Sequence, residues 1–470
     1  MSHASRLHVN SPTSATPRLP PGPRGLPLLG SIHELSKDHL ERFSAHVRDY
    51  GDTVMIRFGP LRFVLIHRPE DIRHVLVKNH KNYPKSQTYE PLALVLGKGL
   101  VTSEGALWKR QRKLMQPAFH RQRLVEFAET MVDCTRDHLD GWDRQLATDD
   151  GGAPVVDIHE EMMRLTFRVV GKTLFSVDLA GDSREFGDAL TIATDYVSRR
   201  TETVLKLPTW LPTPANHRFR RARGALDRVV TRMIAERRAA PEGHADLMDM
   251  LMRATDETGT ERMNDQQLRD EVMTLVAAGH ETTSNALTWT LMLLGRHPAV
   301  ERKLHAELTR ALEGRAPGFA DLEALQYTEQ VLHESMRLFP PVWMVERVAL
   351  ADDQLGEPAY DIPAGTIVGV CTWTLHRRPS LWPNPEAFDP ERFTPERVAA
   401  RPRYAYVPFA AGPRTCIGNA FAMMEAKLLL ASIVQRYRLE LVPGQTITPD
   451  PGVTLRPKGA VKMRLIRRDA

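Results

Sequence analysis

The chain of 470 residues has only three cysteines, Cys134, Cys371 and Cys416. That is too few for a disulfide framework, and one would stay unpaired in any arrangement. Small secreted scaffolds are excluded, and a reducing, cytoplasmic setting is expected. Long apolar runs are also missing. Charged residues interrupt each one before the roughly 18 residues that a membrane-spanning helix needs. The stretch Met1–Pro17 is polar and lacks the apolar segment of a secretory signal. Charge of one sign is nowhere concentrated: 63 Lys+Arg against 58 Asp+Glu leave +5, a weak field for this length. Basic residues lie among acidic ones, so no nucleic-acid partner is expected. No internal repeat and no Gly/Ser-rich linker divides the interior. What remains, 42% hydrophobic and 26% charged residues, is the balance of an ordinary globular protein.

Pro12, Pro17, Pro20, Pro21 and Pro23 predict an extended leader over residues 1–25, closed by an apolar anchor at Leu26 to Gly30. One large, mainly helical domain with small β-sheets is expected over 26–470. Alternation from Thr53 to Ile66 around Gly59-Pro60 predicts a β-hairpin. Helical patterns run from Leu107 to Leu338, broken at Gly151-Gly152, at Leu207 to Pro214 and around Pro241. Strand signals return at Ile362 to Trp373 and in the last 30 residues. Asn264 to Gly295 reads as one long helix, with Asn264 as cap and Gly295 and Pro298 as stop.

Two stretches carry chemistry. Phe409-Ala-Ala-Gly-Pro-Arg414-Thr-Cys416-Ile-Gly418 leads into a helix with apolar Phe421, Met424, Leu428 and Leu429. A cysteine just before a helix start meets backbone N–H groups and a dipole that favour its thiolate. Inside the long helix sits Ala277-Ala278-Gly279-His280-Glu281-Thr282-Thr283. Glycine there costs about 1 kcal/mol of helix stability, the local violation expected of a functional site.

The first stretch matches F-x-x-G-x-R-x-C-x-G at all its fixed positions, and the chain thereby resembles the cytochrome P-450 superfamily. The resemblance implies a triangular, mainly α fold with haem b (iron protoporphyrin IX) between a long distal helix and the cysteine-loop helix. It makes Cys416 the thiolate ligand of the haem iron. The second stretch resembles the family's A-G-x-[DE]-T-[TS] motif. By that resemblance Thr282 hydrogen-bonds dioxygen, Glu281 helps deliver protons, and Ala278 and Gly279 make room for the ligand. His280 falls at a position the motif leaves free.

Glu334-Ser-Met-Arg337 matches E-x-x-R. With Arg392 in Pro390-Glu-Arg-Phe393, the resemblance makes these three a buried structural ion network. Trp108-Lys-Arg-Gln-Arg112 resembles W-x-x-x-R, and Trp108, Arg112, Arg347 and Arg414 are the expected partners of the haem carboxylates, with Phe409 and Gly418 also at the haem. Segments that line the pocket in relatives contain Leu100, Val101, Val276, Val342, Trp343 and Met344, which suits a terpenoid, a steroid-like molecule or a fatty acid. Pro208 to Pro214 is expected to form a mobile lid. No flavin- or NADPH-binding segment follows the domain, so electrons are expected from a ferredoxin or flavodoxin with its NAD(P)H reductase. Lys109, Arg110, Lys113, Arg121 and Arg123 could steer such an acidic partner. The function expected is that of a monomeric, O2-dependent monooxygenase. A peroxide-driven peroxygenase and a non-catalytic haem sensor or ligand-binding protein are the alternatives, and Glu281-Thr282 argues against the first.

Overall fold

The computed structural model describes residues 18–32, 38–148, 153–203, 207–239, 246–253 and 263–468. The expected breaks at Gly151-Gly152 and Pro241, and residues 1–17 of the leader, lie outside them. The rest of the leader is extended and runs along the first strand, where Met55 N–H donates to Pro21 O at 2.8 Å. Leu26 and Gly30 then exchange backbone hydrogen bonds of 2.8–2.9 Å, and Gly30 bridges to Phe58. The anchor is therefore made by backbone and not by apolar side chains: Leu26, Leu28 and Leu29 are exposed.

Thr53–Phe58 and Leu61–Ile66 form the expected hairpin, in register from Thr53↔Ile66 to Phe58↔Leu61. Ile367–Cys371 adds parallel to the second strand, and Met344–Val348 pairs antiparallel beyond it, completing a four-stranded sheet. A second sheet joins Val155–Asp157, Lys462–Arg467 and Tyr437–Leu441. Helices make up most of the rest; their main apolar cluster takes in the second sheet, whereas the four-stranded sheet packs on two smaller clusters.

The central helix is Asp265–Arg296, and Asn264 caps it by accepting from Gln267 N–H at 2.8 Å. It passes through Gly295 and ends before His297-Pro298, so Gly295 is not the stop. A Cβ at Gly295 would lie 2.9 Å from the Met463 side chain and 3.5 Å from Leu439 O. Glycine serves there to let the helix touch the second sheet. Nearly every side chain from Leu268 to Leu294 is buried, so the helix has no solvent face to make it amphipathic.

The helix Gln326–Leu338 carries a buried ion network. Arg337, fully buried, donates to both Glu334 oxygens at 2.7 Å, and Arg392 Nε lies 3.3 Å from Glu334. Arg337 also donates to three carbonyls, those of His376 at 2.9 Å, Pro385 at 2.7 Å and Ala387 at 2.9 Å. The network extends further. Val407 N–H donates to His376 Nε2 at 3.1 Å, and Cys416 N–H donates to Phe409 O at 3.0 Å. The histidine must be neutral to accept, and burial, helped by Arg337, Arg377 and Arg401, holds its basicity well below the ordinary value.

Replacing Arg337 by Ala leaves Glu334 charged and buried. The expected loss is about 3–5 kcal/mol of unfolding free energy, measured by urea denaturation against the parent protein. A variant of parental stability would remove the network from any structural role.

Candidate functional site

The cysteine loop is held from two sides. A Cβ at Gly412, where φ is +71°, would lie 2.0 Å from Leu76 O, so only glycine fits this contact. On the other side Arg112, from the helix Gly105–Met115, donates to Thr415 O at 2.7 Å. Cys416 itself keeps exposed surface even though protein crowds it. Burial pushes its thiol up, while the Gly418 N–H and the Arg112 guanidinium pull against that. The thiol thus stays within reach of a ligand although its surroundings are crowded.

The central helix has a matching gap in its burial. Ala278 is exposed and Gly279 and Thr282 are half-buried, amid buried neighbours. One helical turn separates Ala278 from Thr282, so they share a face, and the Thr282 hydroxyl donates to Ala278 O at 2.7 Å. Glycine at 279 has a second reason. A Cβ there would lie 3.1 Å from Val170 of the helix Ile158–Phe175. Glu281 is buried and accepts from the Thr454 hydroxyl at 2.6 Å. Burial raises its carboxyl above the usual range. His280 points elsewhere: its Nε2 is 3.0 Å from Met163 O, its ring packs on Phe167, and burial lowers it to about 3.

Ala278, Glu281 and Thr282 line a cavity of about 610 Å³ together with Val101, Val342, Trp343 and Met344. The remaining walls include Leu92, Val95 and Leu96. Two expected pocket residues are corrected by this lining. Val276 and Leu100 belong to the apolar core, and neither is among the residues that border the cavity. The segment Pro208 to Pro214 does not border it either. It is a turn pinned by the Asn216 amide, which donates to Pro208 O and Leu211 O at 2.9 Å each. A larger open hollow of about 970 Å³ lies between His333, Arg401 and Lys427, and it contains none of the expected site residues.

Cations gather near the cysteine loop. Arg414 stacks on Trp108, 3.7 Å from the ring centre, donates to Ser103 O at 3.1 Å and pairs with Glu104. Burial lowers Arg414 to about 10, with Arg347 and Arg112 adding to the shift. Lys85 was not foreseen from the sequence. Burial, with the charges of Arg414 and Arg347, brings it down to about 7. Among the described residues, Glu104 is the one carboxylate within 4.0 Å of any of these four cations. Such a cluster favours a ligand with more than one negative charge. Lys109, Lys113 and Arg121 are exposed nearby, whereas Arg110 is half-buried and Arg123 pairs with Glu126 at 2.9 Å.

Glu425 was also missed. It is fully buried on the helix Asn419–Arg436, and neither carboxyl oxygen reaches a hydrogen-bond partner. The unpartnered Thr283 hydroxyl lies close to it, and burial pushes the carboxyl well above its usual range. Its apolar neighbours in sequence gave no sign of this.

Residues 20–463 match the family model Cytochrome P450. The chain belongs to the cytochrome P450 family. It is 38% identical over 435 residues to cyclooctatin synthase of Streptomyces melanosporofaciens, covering 92% of both chains. It is 38% identical to cyclooctat-9-en-7-ol 5-monooxygenase of the same organism, covering 93% of both. Pentalenene oxygenase of Streptomyces avermitilis is 31% identical, over 95% of this chain and 97% of its own. The cytochrome P450DA heme domain superposes with a TM-score of 0.85 at 27% identity, covering 97% of this chain and 99% of that one. This cytochrome P450 is mainly helical with small sheets and is a monooxygenase, and the family implies a haem-thiolate cofactor. No helix among the described residues is long and apolar enough to cross a membrane. The cofactor fits the site. The exposed thiol at Cys416 suits an iron ligand, and the cluster of Lys85, Arg112, Arg347 and Arg414 suits its two carboxylates.

The central helix also holds the pocket's outer loop. Leu100 N–H donates to Glu271 at 3.0 Å, and a Cβ at Gly99 would lie 2.0 Å from Thr274 Oγ1. Burial, with Asp270 beside it, raises the Glu271 carboxyl from 4.5 to about 8. The folded chain then holds this proton more tightly than the unfolded one. The Glu271 contribution to stability should be fully present below pH 4.5 and be lost as pH rises to about 8. Relative to the parent, Glu271→Gln should gain stability progressively across that window, measured by urea unfolding at several pH values. A difference independent of pH would contradict it.

Proposed function

We propose that this cytochrome P450 inserts one oxygen atom from O2 into a terpenoid skeleton, using haem b bound through Cys416 and electrons from a separate ferredoxin or flavodoxin with its NAD(P)H reductase. The observation that carries the reading is the uncovered face of Ala278 and Thr282, bordering a largely apolar cavity of about 610 Å³ on an otherwise buried helix. A cavity of that size takes a molecule of drug-like dimensions and rewards apolar surface. Relatives named for cyclooctatin, cyclooctat-9-en-7-ol and pentalenene support the terpenoid class.

Haem, when bound, supplies the activation of dioxygen, which no side chain here can provide. Cys416 Sγ would bind its iron. Trp108, Arg112, Arg347, Arg414 and Lys85 would hold its carboxylates, with Phe409 and Gly418 beside the ring. Oxygen chemistry needs protons delivered at one point and water kept from others. Glu281 suits the first task. Burial favours its neutral form, and the Thr454 hydroxyl orients it. Thr282, one residue on, can receive that proton when its hydroxyl turns from the Ala278 carbonyl. The apolar walls serve the second task by leaving little for water to bind.

Two measurements test this reading. The reduced, carbon-monoxide-bound protein should carry the absorption band of thiolate ligation, and Cys416→Ala should lose it. A variant that kept the band would sink the ligand assignment. Thr282→Ala should retain haem and substrate affinity while product per NAD(P)H falls by roughly tenfold or more, the balance leaving as hydrogen peroxide. Unchanged coupling with a surrogate redox chain would make Thr282 a helix residue only.

A further inference from the structure

The cavity contains two carboxyl groups, Glu281 and Glu346, and the proton-delivery role above uses only one. Glu346 sits on the strand Met344–Val348, opposite Gly369 of the neighbouring strand. It is half-buried, and its accessible surface faces the cavity it lines. Its side chain is not idle packing. The Thr88 hydroxyl donates to Glu346 Oε2, and Ser86 Oγ lies 2.5 Å from Thr88 Oγ1. A relay of two hydroxyls from one loop thus fixes the orientation of a carboxyl that belongs to a different element.

Three threonines on the cavity wall are spent on their own backbone. Thr194 donates to Leu190 O at 2.9 Å, Thr201 to Val197 O at 3.0 Å and Thr203 to Arg199 O at 2.6 Å. Glu281 is taken by Thr454. Among the described residues Glu346 forms no ion pair within 4.0 Å, in contrast to Glu334 and Glu104. An oriented carboxyl on an apolar wall costs stability unless something it binds repays the desolvation.

We propose that Glu346 is the polar anchor of the cavity and binds a hydroxyl group on the substrate, so that the terpenoid this enzyme oxidises is already an alcohol. The proposal rests on the terpenoid reading above and adds the functional group recognised. An alcohol fits better than an amine. The guanidinium of Arg347 is the next residue along, with Lys85 and Arg414 beyond it, and these cations oppose a second positive charge. Burial also favours the neutral carboxyl, which can donate to and accept from a hydroxyl at once. An earlier hydroxylation, or a cyclisation ended by water, must then supply the substrate.

The test compares matched pairs, a cyclic terpene with its monohydroxylated form and a long-chain alkane with its alcohol. Affinities are measured by the low-to-high-spin shift and by equilibrium dialysis on the parent, Glu346→Leu, Glu346→Gln and Thr88→Val. The carbon-monoxide band of each variant verifies haem binding and fold. The parent should bind the terpene alcohol at least tenfold more tightly than the hydrocarbon. Glu346→Leu should abolish that preference by weakening the alcohol alone, Glu346→Gln should keep part of it, and Thr88→Val should reduce it. If Glu346→Leu does not fold, Thr88→Val and Glu346→Gln carry the same comparison. No preference in the parent, or a preference that survives Glu346→Leu, overturns the proposal. A Glu346-dependent preference seen only with the long-chain pair supports the anchor while overturning the terpenoid reading.

Discussion

The structure depends on one buried ion pair. Glu334 and Arg337 lie in an apolar interior where neither charge could stand alone, so each requires the other. Their value is in what else they reach. Arg337 spends its remaining donors on the carbonyls of His376, Pro385 and Ala387. His376 accepts from Val407 N–H, two residues before Phe409, whose carbonyl holds the Cys416 amide. The cysteine loop has little regular structure of its own. Its shape is borrowed, through three hydrogen-bonded steps, from a helix some 80 residues earlier in the chain.

A second constraint acts on the opposite wall. A helix buried on all sides has no reason to expose an alanine, and a glycine in its interior costs stability. Both occur at Ala278-Gly279. A Cβ at Gly279 would lie 3.1 Å from Val170, so glycine lets this helix and the helix Ile158–Phe175 approach closely here. The same helix anchors the loop after Leu96 through Glu271, with Gly99 lying against Thr274. The walls of the cavity are therefore fixed at the level of backbone contact, whereas its chemistry is set by a few side chains that can be exchanged singly.

Much of this was legible in the sequence because it is local. The Thr53–Ile66 hairpin, the Asn264 cap and the Glu334–Arg337 spacing are all set by residues within a turn or two of each other. The misses are relations between distant segments. Gly295 looked like a helix stop because glycine commonly is one, but its purpose is contact with Met463 and Leu439, about 150 residues away. Leu26 and Leu29 looked like an apolar anchor, whereas the backbone does the anchoring. Val276 and Leu100 share composition with true cavity residues, and only the way the fold turns each side chain tells the two apart. Lys85 and Glu425 stand in stretches that give no signal, since a buried charge is recognised by its surroundings and not by its neighbours in the chain.

Electrostatics separates the two halves of the site. On the cysteine side, Lys85, Arg112, Arg347 and Arg414 meet one carboxylate, Glu104. That surplus of positive charge suits a dianionic cofactor, and Arg112 within it pulls the Cys416 thiol toward its thiolate against the larger effect of burial. On the cavity side no cation lines the wall near Thr282 among the described residues, and the carboxyl there, Glu281, is raised by burial. A neutral acid can hand over a proton, whereas a carboxylate paired with arginine would hold its charge and have none to give. Gathering the surplus cations on the cysteine side, while Arg456 near Glu281 is paired with Asp195 and Asp450, therefore does two jobs with one arrangement. It binds an anionic group and favours a thiolate where those are needed, and it leaves the acid on the other side protonated.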